Sequence, residues 1–121
     1  MFALAVLFRR KERYIMNNAI DNYIMAHKDE LIESVRESVR FPSVEAAPAG
    51  EGAPFGAAVR DALEHALKLG ESFGFKTTDL DGYAGCIDVG EGDEMLGVIG
   101  HLDVVPEGEG WIHPPYAAEI A

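Results

Sequence analysis

The sequence predicts an α/β fold: helices packed on a mixed, mainly parallel sheet. Three observations carry that prediction. Two stretches with helical apolar spacing come first, three short strand-like runs follow, and the last run, Met95-Leu96-Gly97-Val98-Ile99, is apolar almost throughout. A strand covered on both faces reads that way, as strands do in sheets flanked by helices.

The first helix is marked by Ile20, Tyr23, Ile24, His27, Leu31, Val35 and Val39, spaced mostly by three and four along one face. Phe41-Pro42 ends it, because the residue before proline is pushed out of the helical region. Residues 42–54 are rich in Ala, Pro and Gly and read as a loop. A second helix follows, with Val59, Ala62, Leu63, Ala66, Leu67 and Phe73 as its apolar face and Gly74 as its C-terminal cap. Phe75–Leu80 and Cys86–Val89 read as strands joined through the turn signal Asp81-Gly82. Gly90-Glu91-Gly92-Asp93 is a further turn, and Met95–Ile99 is then the third strand. No internal repeat or low-complexity segment interrupts the pattern.

Length and composition set the bounds. A chain of 121 residues allows at most one small domain, and 48% apolar residues are enough for a core. Ten basic against twenty-one acidic residues leave a net charge of −11, which argues against a nucleic-acid partner. The single cysteine, Cys86, rules out an internal disulfide framework and fits a reducing cytoplasm.

The first residues read differently from the rest. Met1–Phe8 is apolar and Arg9-Arg10-Lys11-Glu12-Arg13 follows, the reverse of a signal peptide's order. An apolar run of that length falls far short of the roughly 20 residues that span a bilayer; an interfacial anchor is the minor alternative, and with nothing else pointing to a membrane no membrane contact is expected. Residues 1–15 therefore read as an extension outside the domain, with Met16 a natural alternative start, and residues 16–121 as the domain itself.

The chemistry is expected where the third strand ends, at Gly100-His101-Leu102-Asp103-Val104-Val105-Pro106. In open α/β sheets, ligands bind beyond the carboxyl ends of strands. Residues two apart on a strand share a face, so His101 and Asp103 can point the same way. An imidazole can bind a metal through one nitrogen while a carboxylate holds the proton on the other. The tripeptide alone better fits a hydrogen-bonded strand-end histidine beside a solvated or turn-forming aspartate.

The flanking residues add a resemblance. Gly97 to Trp111, G-V-I-G-H-L-D-V-V-P-E-G-E-G-W, closely resembles the first metal-site segment of a family of zinc-dependent exopeptidases and deacylases. That family includes dipeptidases of the PepV and Xaa-His (carnosinase) type and the ArgE and DapE deacylases. Phe41-Pro42-Ser43-Val44 looks like the loop after the family's first helix. Pro54-Phe55-Gly56, Leu69-Gly70-Glu71, Gly74-Phe75-Lys76 and Tyr83-Ala84-Gly85 resemble the PepV-type branch, and the likeness runs from about Met16 to Ala121.

The resemblance implies a zinc metallo-dipeptidase, a hydrolase in which metal-activated water cleaves dipeptides. His101 would be a zinc ligand and Asp103 the catalytic-site carboxylate that orients it. Two zinc ions are expected in the complete protein. The family's bridging Asp, its Glu-Glu pair, its later ligands and its second domain have no match in this sequence. The expectation is therefore the truncated N-terminal part of a zinc-exopeptidase catalytic domain, inactive by itself. A piece of an ArgE- or DapE-like deacylase, and a leftover domain without catalysis, remain open as alternatives.

The other polar candidates have plainer readings. His27 is expected as a core or boundary histidine, His65 as solvent-exposed, His113 as a loop-surface residue and Cys86 as a buried structural thiol. Glu107 and Glu109 read as a solvated loop, with Trp111 packed under it.

Overall fold

The computed structural model describes residues 18–120. The expected extension at residues 1–15 and the alternative start at Met16 lie outside the described residues. Three helices and two strands follow in order: α1 (Asn18–Ala26), α2 (Lys28–Val39), α3 (Ala57–Ser72), β1 (Lys76–Leu80) and β2 (Ala84–Asp88).

The single long helix expected from Ile20 to Val39 is two helices, broken at His27. His27 takes φ −109° and ψ 16°. Its Nδ1 lies 2.8 Å from Tyr23 O, and its ring stacks on Tyr23 with centroids 4.1 Å apart. The backbone ladder tightens at this point without being lost: His27 N–H is shared between Tyr23 O at 3.1 Å and Ile24 O at 3.2 Å, and His27 O still accepts Leu31 N–H at 3.0 Å. The apolar face continues past the break, so its period gave no sign of it. His27 is half-buried, at a boundary as expected.

Helix α3 forms as its spacing predicts. It buries Ala62, Leu63, Leu67 and Gly70. Its end is a Schellman motif: Gly74 N–H donates to Glu71 O at 2.8 Å and Phe75 N–H to Gly70 O at 3.1 Å. Gly74 sits at φ +80°, where a side chain is strained. Phe73, expected on the buried face, caps this turn and is exposed.

β1 and β2 form an antiparallel hairpin, with Lys76 opposite Asp88 and Leu80 opposite Ala84. Asp81 (φ 55°) and Gly82 (φ 74°) both take positive φ, as primed hairpin turns require. Tyr83 N–H closes the turn on Leu80 O at 3.0 Å. The hairpin lies against α3 at two points of close approach. A Cβ on Gly85 would stand 2.8 Å from Leu63 Cδ1, and one on Gly70 would stand 3.0 Å from Ile87 Cδ1. Missing side chains thus let helix and hairpin meet.

The α/β character holds, but the sheet does not match the expectation. It is two-stranded and antiparallel instead of mainly parallel. The one parallel pairing among the described residues is an isolated bridge between Val44 and Val104. Met95–Ile99 is irregular, with Leu96 90% and Ile99 99% exposed. Strand composition records a fit to neighbouring strands and covering layers; among the described residues nothing supplies either to this run. The core is accordingly small: Ala53, Ala62, Leu63 and Leu67.

Candidate functional site

The two residues singled out at the motif do come together. His101 Nδ1 lies 3.2 Å from Asp103 Oδ1 and 2.9 Å from the Asp103 backbone oxygen. Both partners are acceptors, so neutral His101 carries its proton on Nδ1 and presents Nε2 as a lone-pair donor. That tautomer suits a metal bound through Nε2. The pair is open to solvent, with side chains 79% and 54% exposed.

The backbone under the pair is held from an unexpected direction. Ser43, 3% exposed, donates its hydroxyl to Leu102 O at 2.6 Å. Val104 N–H returns a bond to Ser43 O at 3.0 Å. The Phe41–Val44 loop is folded tightly enough to do this: Ser43 N–H donates to Phe41 O at 2.8 Å and Val44 N–H to Pro42 O at 2.7 Å. Sequence reasoning placed Ser43 in a loop and missed this contact. Nothing in local spacing signals a partner 59 residues away.

The segment after the motif folds back on itself. Glu107 O accepts from Trp111 Nε1 at 2.8 Å, and Glu107 Oε2 accepts from Tyr116 OH at 3.1 Å. Burial, with the Glu107 carboxylate beside it, pushes the Tyr116 phenol above its usual range. His113 Nδ1 meets Glu119 Oε2 at 2.6 Å, on the surface as expected. Arg36 Nε donates to Ala118 O at 2.8 Å and so ties this segment to α2. Glu107 and Glu109 border an open hollow that runs to Pro115.

Two other expectations need correction. Cys86 is exposed, because β2 turns its Cys86 side away from α3 and nothing covers it among the described residues. His65 is half-buried: its ring packs 5.0 Å from Phe41 and its Nε2 lies 3.3 Å from Ser38 Oγ, where α3 meets α2.

A catalytic zinc needs three protein ligands. Among the described residues no group of three His, Cys, Asp or Glu side chains is placed to hold a metal. One imidazole and the carboxylate that orients it do not by themselves fit a zinc ion.

No family model matches the chain. It is 47% identical over 98 residues to a protein of Bacillus subtilis named "Putative dipeptidase YtjP", covering 80% of this chain and 21% of that one. It is 40% identical over 96 residues to the Beta-Ala-Xaa dipeptidase of Lactobacillus delbrueckii subsp. lactis, covering 78% of this chain and 20% of the relative. The chain is homologous to these dipeptidases. It spans about a fifth of the length of the curated relatives it matches. The dipeptidase homology agrees with the resemblance seen in the upstream segments. Among the described residues, no helix is long and apolar enough to cross a membrane.

Proposed function

We propose that residues 16–121 are the opening part of the catalytic domain of a cytoplasmic, zinc-dependent dipeptidase. In this reading the segment contributes one metal ligand, His101 through Nε2, and Asp103 as the carboxylate that fixes its tautomer. The remaining ligands and the general base belong to the rest of a longer protein, as does the larger part of the sheet. Small dipeptides, the β-Ala-Xaa class among them, are the proposed substrates.

The observation that carries the reading is the His101–Asp103 pairing, with Nδ1 3.2 Å from the carboxylate, in a chain homologous to dipeptidases. The exposure of Met95–Ile99 supports it, since an apolar run of this kind is suited to a central strand. The coding sequence beyond codon 121 tests it. The proposal expects, in frame or after a frameshift, a Gly-rich segment with an aspartate and then a Glu-Glu pair. Unrelated sequence there, together with turnover of β-Ala-His by the 121-residue chain alone, would overturn it.

A further inference from the structure

We propose that Ser43 is a positioning residue for the His101–Asp103 pair. The proposal rests on the metal-site reading above for its functional meaning, but its structural basis is independent. Ser43 is the one buried polar residue among those described, at 3% exposure. It engages the motif on both sides of Asp103. Its hydroxyl holds Leu102 O at 2.6 Å, and its carbonyl holds Val104 N–H at 3.0 Å.

The consequence follows from where those bonds fall. Leu102 and Val104 flank Asp103, and Leu102 is the single residue between the two members of the pair. Fixing both neighbours fixes the backbone torsions that aim the Asp103 carboxylate and the Asp103 carbonyl. Both of those groups meet His101 Nδ1. The pair itself is exposed and lies on a segment that no strand ladder holds, so little else among the described residues restrains its direction. Val44 extends the same clamp through its parallel bridge with Val104. A short hydroxyl side chain is what the position requires, because the donor must reach Leu102 O from the β-carbon. Ser43 touches neither a metal nor a substrate in this account; it acts through the backbone of its partners.

Two measurements on the full 121-residue chain test the proposal. The first is hydrogen exchange by mass spectrometry without metal, at low micromolar concentration. Ser43→Ala is expected to speed exchange at Val104 by about tenfold, the loss of one hydrogen bond to a shielded acceptor. Peptides from α3, β1 and β2 should be unchanged, and Ser43→Thr should restore protection. The second is titration with Zn²⁺. Ser43→Ala is expected to weaken zinc binding by about tenfold, within the usual range for a residue that orients a ligand, with recovery in Ser43→Thr.

Unchanged exchange at Val104 in a folded Ser43→Ala chain overturns the proposal. So does equal acceleration throughout α3 and the hairpin, or zinc binding that depends on His101 but not on Ser43. Should Ser43→Ala fail to fold, Ser43→Cys keeps a single γ atom, weakens the donor and is read by the same criteria. Zinc binding equally tight in His101→Ala and wild type, alongside the expected exchange result, contradicts the metal reading while leaving the clamp in place.

Discussion

At the residue scale, the account turns on an imidazole whose useful nitrogen is chosen by its neighbour. Asp103 meets His101 Nδ1 with both its carboxylate and its backbone oxygen. In a complete enzyme built on this segment, Asp103→Ala should lower metal affinity or activity by about 10–100-fold. His101→Ala should cost more, because it removes a ligand outright. Activity assays paired with metal analysis check this, and full activity with unchanged zinc in Asp103→Ala would reduce Asp103 to a structural residue. The isolated chain should bind zinc weakly, since complete structural sites reach about 10–16 kcal/mol of apparent binding energy and one ligand cannot. Stoichiometric nanomolar binding in calorimetry would point to ligands beyond the pair. That His101 and Asp103 lie side by side was legible in the sequence because their spacing is local. Ser43 was not, because its role depends on a contact across 59 positions.

At the scale of elements, the best-built unit is α3 with its hairpin. Arg60 on α3 pairs with Glu64 at 3.1 Å and with Asp79 on β1. Asp79 Oδ1 also accepts Gly82 N–H at 2.8 Å. That backbone donor first, and Arg60 second, hold the Asp79 carboxyl below its ordinary range. A carboxylate whose pKa is lowered on folding stabilises the fold above its unfolded pKa, and that contribution is lost as pH falls through the folded value. The hairpin should therefore loosen below about pH 4, and Asp79→Asn should flatten that dependence, as followed by circular dichroism. The turn is equally specific. A Cβ on Gly82 would sit 1.9 Å from Gly52 O, and φ is +74°. Gly82→Ala should destabilise the unit by roughly 1–3 kcal/mol, read from thermal melts; an unchanged melt would contradict the packing of hairpin on loop. The sequence showed α3, its Gly74 end and the Asp81-Gly82 turn, since each is set by neighbours in the chain. It did not show the break at His27, because the apolar period runs through it undisturbed.

At the scale of the molecule, apolar surface outruns what the described residues can cover. Ile20, Tyr23, Leu31 and Val35 on α1 and α2 are exposed, as is Met95–Ile99. Among the described residues, both hairpin edges are open to further pairing. The 121-residue chain should self-associate at about 100 μM, seen by light scattering as mass above that of a 13.1 kDa monomer. A stable monomer with a cooperative melt would contradict this. The composition of Met95–Ile99 announced a buried strand, yet a strand is made by partners, and composition cannot say where they are. The parallel sheet was misjudged for that reason, while the α/β character was legible from the order of the elements. One measurement bears most directly on the whole account: residues 16–121 exchanged for the homologous fifth of the Lactobacillus delbrueckii Beta-Ala-Xaa dipeptidase, with hydrolysis of β-Ala-His followed in the presence of zinc. The account predicts turnover by the chimera and its loss in His101→Ala. A folded, metal-loaded chimera without turnover, or turnover indifferent to His101, would contradict it.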